Sequence, residues 1–336
     1  MAHTHIDAID RQHISHIRRS MLPLAWTARI IGKHPSTLTR ELRRNADPQG
    51  GYQTFHANAQ ARKRRRQPRG SKLDNNEKLR QYVLERLTGP ERFSPEILAA
   101  RIKRDHPDDP SMRISHQAIY DFIERDKRLA EASGYGGKLF KHLRRRGKSY
   151  RKNRTKAGRS RIPNRVGIEH RPPEVEKRQE VGHFEGDTIY GNKTNACLAT
   201  FVERKTRITR IRRCPNRRAK VVTLAAVAAL QSLPSVILKT ITFDNGSEFS
   251  HHAKLTEQTG IRVFFANPYS SWERGTNENT NGLIRAYFPK RTNFSRVTDA
   301  EIAYVEDLLN NRPRKCLNWR TPNEALADEL AVAIGV

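Results

Sequence analysis

The stretch that decides the fold is Gly182-His183-Phe184-Glu185-Gly186-Asp187-Thr188-Ile189, which predicts a β-strand with an aspartate inside it. Aspartate is disfavoured in a strand interior and must be satisfied there. A second apolar run, Val236-Ile237-Leu238-Lys239-Thr240-Ile241-Thr242-Phe243, predicts another strand and ends at Asp244. Glu278 begins a predicted helix, and 33 residues separate it from Asp244. We expect these three acids to converge on a divalent metal.

The pattern of the chain after about residue 180 predicts an α/β domain. Three early strands suggest an antiparallel meander, and the alternation that follows suggests a mixed sheet covered by helices. The predicted strands are 181–190, 196–204, 207–213, 236–243 and 261–266, and the predicted helices are 217–232, 250–259, 275–287 and 299–311.

Each acid alone is weak evidence for a metal site. Asp244-Asn245-Gly246 is also an ordinary turn sequence, and Glu278 alone is also an ordinary acid at a helix start. The combination is more specific, because a chain with a net charge of +29 has little electrostatic reason to gather carboxylates unless a cation lies between them.

The charge distribution points to a polyanionic partner. Residues 1–180 hold 42 basic and 20 acidic side chains, whereas residues 181–336 hold 22 and 15. Nucleic acid is therefore the expected partner of the N-terminal half. A membrane partner is not expected, since no apolar run approaches the roughly 18 residues of a span. The start has no secretory pattern, which predicts a cytoplasmic protein. The three cysteines, Cys197, Cys214 and Cys316, predict neither disulfides nor a zinc site.

Residues 8–45 predict three helices, the first with Ile9, Ile14 and Ile17 on roughly one side. The spacing is typical of a helix-turn-helix, although a plain three-helix bundle is the alternative. The residues expected to contact DNA from the third helix are Ser36, Thr37, Thr39, Arg40, Arg43 and Arg44.

Residues 61–70 predict a solvated basic linker that lies along phosphates through Arg64, Arg65 and Arg66, and the latter two are candidates for minor-groove insertion. A second helical unit follows, with a helix start at Ser94-Pro95-Glu96. Its DNA-contact candidates are His116, Gln117 and Tyr120, and a helical spacer is the alternative.

The Gly/Arg-rich stretch that follows contains further DNA-contact candidates, namely Arg144, Arg145 and Arg146. The predicted organisation is a helix-turn-helix domain (1–60), a basic linker (61–72), a second helical DNA-binding domain (73–130), a basic Gly/Arg-rich linker (131–178) and an α/β catalytic domain (179–336).

Three sequence blocks carry a resemblance to a known family. The blocks 182–189, 242–249 and 272–285 resemble the catalytic blocks of the insertion-sequence-thirty family of bacterial transposases. Asn311-Arg312-Pro313-Arg314, followed by Thr321-Pro322, resembles a C-terminal block shared with retroviral-type integrases. Residues 35–45 also resemble that family's DNA-binding helix, so that the similarity covers almost the whole chain, although Phe184 stands where tryptophan is common.

The resemblance implies a ribonuclease-H-like catalytic fold and a DDE transposase that uses two Mg²⁺ ions, with Mn²⁺ as a plausible substitute. The implied metal ligands are Asp187, Asp244 and Glu278, with Glu273 as a competing third acid. Further roles near the metal or the phosphate are implied for Asn245, Glu248, Arg274, Asn281 and Arg285. The implied partners are the terminal inverted repeats of a mobile element, target DNA and at least one further copy of the chain. The implied location is the bacterial cytoplasm, in association with the nucleoid.

Two other functions fit the same residues. One is a DNA-binding regulator that has lost catalysis, and the other is a structure-selective nuclease of the same fold. Intact acids at all three positions argue against the first, and two helical DNA-binding units argue against the second.

Overall fold

The chain forms two compact units, Met1–Ser71 and Lys72–Val336, in a computed structural model. The structure describes residues 5–47, 49–66, 71–133, 137–144, 162–191, 195–268 and 270–334. The predicted division into five segments is finer than these two units, and it stays a prediction.

The first unit is helical, as predicted. Asp7 begins its first helix with a capping box, and Pro35 lies in the first turn of its third. Ile14 and Leu38 are fully buried in its core, whereas Ile9, predicted on roughly the same side of α1 as Ile14, is 63% exposed. The helices are α1 (Ala8–Arg19), α2 (Leu24–Ile30), α3 (Pro35–Asn45) and α4 (Thr54–Arg66).

A buried ion pair joins the helices of this unit. Arg11 Nε donates to Glu41 Oε1 at 2.7 Å, and the same oxygen accepts from Asn45 Nδ2 and from the Tyr52 hydroxyl. The pair therefore links α1 to α3 and to the segment before α4. The predicted linker is wrong for residues 61–66, which continue α4 because Ala61 packs into the buried side of the helix.

The second unit begins with a helical part whose core contains Leu79, Val83, Leu98 and Ile119. The predicted helix start is confirmed, since Ser94 Oγ accepts a hydrogen bond from the Ile97 amide. These helices are α5 (Lys72–Asn75), α6 (Glu77–Thr88), α7 (Pro95–Asp105) and α8 (His116–Ser133).

A five-stranded sheet follows, with the order β3-β2-β1-β4-β5. The first three strands pair antiparallel, as the predicted meander requires, and β4 is parallel to both β1 and β5. The strands are β1 (His183–Tyr190), β2 (Cys197–Glu203), β3 (Thr209–Cys214), β4 (Thr240–Phe243) and β5 (Arg262–Phe265). The strand predicted over 236–243 is shorter than expected, because Ser235–Ile237 form a 3₁₀ turn after Pro234.

Helices cover both faces of the sheet, each over its own apolar core. A short helix, α9 (Glu174–Lys177), precedes the sheet, and the others are α10 (Ala219–Leu230), α11 (His252–Thr259), α12 (Gly275–Tyr287), α13 (Asp299–Asn310) and α14 (Pro322–Ile334). α10 and α11 pack on one face and α12 and α13 on the other. Side chains alternate along β1, so Glu185, Asp187 and Ile189 share the α12 face.

A buried carboxylate ties the end of β2 to the start of β1. Glu203 is fully buried and accepts hydrogen bonds from the amides of Gly182, His183, Lys205 and Thr206, and from the Thr206 hydroxyl. These hydrogen bonds take the place of the water that would solvate the carboxylate at the surface.

We expect Glu203→Ala to lower the free energy of unfolding by about 3–5 kcal/mol, because it leaves several buried amides without an acceptor. Chemical denaturation followed by circular dichroism measures this loss. Glu124→Ala is the matched control, since Glu124 pairs with Arg128 on the exposed side of α8, and it should cost about 1 kcal/mol or less. Equal losses for the two variants would contradict the prediction.

Candidate active site

Asp187 lies inside β1, opposite Thr200 of β2. Its Oδ1 accepts the Thr188 amide at 2.9 Å, and its Oδ2 accepts Asn281 Nδ2 of α12 at 2.8 Å. Burial raises the pKa of Asp187 to about 6, although the Arg274 guanidinium opposes the rise and the Asp244 charge adds to it. The carboxylate is thus held in place at the sheet face beneath α12.

Asp244 directly follows β4, the parallel neighbour of β1, so both acids lie near the same end of the sheet. Its Oδ1 accepts the Gly246 amide at 3.0 Å, so the turn expected at Asp244-Asn245-Gly246 is present. Asp244 can therefore both form this turn and lie beside Asp187 as a possible metal ligand. The close pairing of β1 with β4 depends on Gly186, where a Cβ would lie 2.2 Å from the Phe243 ring.

The Arg274 guanidinium lies between the two aspartates. Its Nη1 is 3.6 Å from Asp187 Oδ1, and its Nη2 is 3.3 Å from Asp244 Oδ2. Its Nε is buried without a hydrogen-bond partner among the residues that the structure describes. Two neighbouring carboxylates repel unless a cation separates them, and here the arginine is that cation. A pair of carboxylates is also the oxygen-donor chemistry that Mg²⁺ prefers, so these residues fit a divalent ion.

Glu278 lies in the first turn of α12 with an exposed side chain. Asn281 follows Glu278 by three positions, so the two lie on neighbouring turns of one side of α12, and Arg274 is the N-cap residue of the same helix. Both neighbours contact Asp187. Within the described residues, however, no group of three or more His, Cys, Asp or Glu side chains is arranged to hold a metal. The structure thus brings two predicted acids together, and the third stays a prediction.

The competing acid, Glu273, has partners of its own. Its Oε2 accepts the Asn267 amide at 2.7 Å, and its Oε1 accepts Asn267 Nδ2 at 3.1 Å. These bonds close the loop that follows β5. Glu273 therefore has a structural role whether or not it approaches a metal.

The other residues predicted near the acids have mixed positions. Asn281 contacts Asp187 directly, as described above, and its Oδ1 also accepts from Thr200 Oγ1. Asn245 donates to the Ala266 carbonyl at 2.8 Å, which fixes the turn after β4. Glu248 accepts from the hydroxyls of Thr188 and Tyr190. Arg285 donates to the Tyr190 carbonyl at 2.5 Å, a bond that anchors α12 to β1.

One candidate functional residue was not predicted from the sequence. Glu185 is fully buried on the α12 face of β1; its Oε2 accepts the Asn277 amide at 2.8 Å, and its Oε1 lies 3.3 Å from Arg204 Nε. It thereby holds the first turn of α12, next to Glu278, against β1. The two-residue spacing of Glu185 and Asp187 could have indicated this role, because it places both side chains on one face of the strand.

The predicted DNA-contact residues of α3 lie at different depths. Arg40 donates from its Nε and Nη2 to the Ser36 carbonyl and hydroxyl. Arg64 of α4 donates to the Arg44 carbonyl at 2.9 Å, which ties the basic end of α4 to α3. Thr39, Arg40, Arg43, Arg44 and Arg64 are exposed, whereas Ser36 and Thr37 are half-buried.

The candidates of the second helical part lie at the start of α8. His116 and Gln117 are exposed, and Tyr120 is half-buried beside the His116 ring. Gln117 donates to Asp121 at 2.8 Å. Arg144 is exposed, whereas the side chains of Arg65 and Arg66 and the whole of Arg145 and Arg146 lie outside the described residues. Among the described residues, no helix is long and apolar enough to cross a bilayer.

Comparison with known proteins adds the following similarities. The sequence model of the Integrase core domain family matches residues 177–271. The chain is 38% identical to the transposase for insertion sequence element IS1086 of Cupriavidus metallidurans, over 96% of this chain and 94% of that protein. It is 39% identical to the IS4351 transposase of Bacteroides fragilis, over 95% and 94%. It is 35% identical to the transposase InsI for IS30C of Escherichia coli K12, over 98% and 85%. The predicted integrase-like catalytic core is thereby confirmed.

Proposed function

Because the chain belongs to the insertion-sequence-thirty family of transposases, we propose that it cuts DNA at the terminal inverted repeats of its own mobile element and joins the exposed 3′-OH to a phosphate in target or element-end DNA. The observation that carries this proposal is the convergence of Asp187 and Asp244 on one guanidinium, beneath the helix that carries Glu278.

Asp187, Asp244 and Glu278 would hold two Mg²⁺ ions, or Mn²⁺ in their place. Such ions activate water or a DNA hydroxyl and stabilise the leaving oxygen of a phosphodiester. Arg274 would exchange its contacts with the two aspartates for contacts with the DNA phosphate, since its charge is no longer needed between them. No covalent link between protein and DNA is required.

The residues around the acids keep them in position. Asn281 donates to Asp187 and thereby fixes the orientation of that carboxylate against α12. Glu185 holds the first turn of α12 through the Asn277 amide, and so sets the place of Glu278 relative to β1. Positioning at this level contributes several kcal/mol to catalysis of this kind.

The helical parts supply DNA recognition. The basic, exposed side of α3 carries Arg40 and Arg43, which suits major-groove contact by the last helix of a helix-turn-helix. Specific recognition of two element ends requires that they be brought together, so the active form on DNA is at least a dimer.

We expect Arg40→Ala to weaken binding to the terminal repeats by about 1–3 kcal/mol if the guanidinium reads a guanine. Fluorescence anisotropy on repeat DNA and on random DNA of equal length measures the difference. Arg29→Ala, on the neighbouring α2, is the matched control for loss of one charge in the same unit. An equal loss for Arg40→Ala on both DNAs would show a phosphate contact without base recognition.

The experiment that tests the proposal uses the full chain and a plasmid with two element ends, which can be identified as imperfect inverted repeats flanking the gene. With Mg²⁺ we expect nicks with a 3′-OH at the ends, followed by joined products, and with EDTA we expect neither. Binding without any metal-dependent nick would favour the regulator that has lost catalysis. Preference for branched DNA over the repeats would favour the structure-selective nuclease.

A further inference from the structure

The second unit contains a cavity between its helical part and its α/β part. The cavity has a volume of about 770 Å³ and is lined by residues that include Arg92, Arg144, Tyr287, Arg314 and Trp319. This volume lies in the range of pockets that bind small molecules or single groups of larger ones. Polar contacts hold its walls together, since Arg92 donates to the Ala286 carbonyl and Arg312 to the Arg92 carbonyl.

The lining is strongly positive. The lining contains seven arginine or lysine side chains and a single carboxylate side chain, that of Glu96. In the part of the chain that the structure describes, none of the seven is within ion-pair distance of a carboxylate. Burial, and then the neighbouring Arg312, lower the pKa of Arg314 to about 10, and Arg314 Nε is buried without a hydrogen-bond partner among the described residues. Arg285, Arg312 and Arg314 are half-buried and the other four cations are exposed. A cluster of like charges without carboxylate partners is stabilised by an anion.

The cavity adjoins the helix that carries the third predicted acid. Asn279 and Leu283 of α12 line it. The Arg144 guanidinium lies directly on Gly282, where a Cβ would be 2.9 Å from Arg144 Nη2. Gly282 follows Glu278 by four positions, which is one helical turn. The positive lining therefore reaches α12 within one turn of the proposed catalytic residue.

Aromatic side chains complete the lining. The Tyr287 ring lies 5.2 Å from the Arg92 guanidinium carbon, and its hydroxyl donates to the Pro90 carbonyl. Trp319 packs against the core of the helical part and also lines the cavity. Arginines combined with aromatic rings bind single-stranded nucleic acid, because the cations take the phosphates and the rings stack on the bases.

We propose that this cavity binds an unpaired nucleotide of the DNA strand, with its phosphate at Arg144 and Arg314 and its base beside Tyr287 or Trp319. The inference rests on the proposed function and adds to it a separate site for a strand that leaves the duplex next to the active site. The occupant is part of a DNA strand, because the cavity opens beside α12, where a DNA strand would lie during cleavage.

The test compares two duplexes of the same sequence at one salt concentration, one blunt and one with three unpaired nucleotides on one strand. We expect the full chain to bind the second about tenfold more tightly. Arg144→Ala should reduce this advantage to within about twofold, beyond any loss of phosphate attraction that it causes equally for both duplexes. Trp319→Leu should also lose the advantage and Trp319→Phe should keep it. Arg262→Ala, an exposed arginine on β5, is the control that keeps the full advantage.

Equal affinity of the wild-type chain for the two duplexes would overturn this inference and leave the proposed function intact. Failure to bind either duplex would overturn the proposed function as well. Deoxyadenosine monophosphate serves as the competing free nucleotide. If it binds as tightly as the unpaired strand, the cavity is a site for a free ligand and the assignment to a DNA strand is wrong.

Discussion

Asp244→Asn is expected to abolish Mg²⁺-dependent cleavage and joining while binding to the element ends is kept. Asparagine has the same size, and its side-chain oxygen can still accept the Gly246 amide, so the turn after β4 should persist. What is lost is a negative charge at a metal ligand. Loss of about 4 kcal/mol of stabilisation of the transition state corresponds to about a thousandfold in rate.

The measurement is the rate of nicking and of joining on the two-ended plasmid, beside an anisotropy titration with the same DNA. Asp108→Asn, the same chemical change in an exposed loop between α7 and α8, is the matched control and should keep both rates. The variant should remain folded, because Arg274 keeps its contact with Asp187 when the charge of Asp244 is removed. A circular dichroism spectrum checks this. Joining at the wild-type rate would remove Asp244 from the mechanism.

The sequence was sufficient to predict the elements whose pattern is local. The strands that become β1, β2 and β3 and the helices α12 and α13 follow from alternation and helical periodicity. Segments that depend on distant contacts were predicted less well. Residues 61–66 are basic enough to predict a linker, yet they continue α4 because Ala61 has a core to pack against.

Buried charges account for what the sequence did not reveal about the site. Glu185 and Glu203 are fully buried acids in strands. Glu203 is satisfied by amides at the start of β1 and in the turn after β2, and Glu185 accepts one hydrogen bond from the distant Asn277 amide and lies beside Arg204. A single sequence identifies such acids as unfavourable in strands but does not identify the donors. The contact of Arg274 with both aspartates was missed for the same reason, although the residue itself was a candidate for a phosphate contact.

A pair of substitutions decides whether Glu278 of α12 or Glu273 of the preceding turn completes the site. We expect Glu278→Gln to lower cleavage by about a thousandfold, as for Asp244, because it would remove the third charged ligand. Glu273→Gln is the matched variant, five residues earlier. Its side-chain oxygen can still accept from Asn267, so we expect a rate reduction of less than about tenfold from altered loop geometry.

A metal titration separates the two roles further. A lost ligand should raise the Mg²⁺ concentration needed for half-maximal cleavage, whereas a loosened loop should lower the rate without that shift. Asn281, three positions after Glu278 on α12, and Arg274, the N-cap residue of that helix, both contact Asp187, and this gives Glu278 the first role. The reverse result, with Glu273→Gln inactive at every Mg²⁺ concentration and Glu278→Gln active, would transfer the third ligand to Glu273 and require the turn before α12 to open.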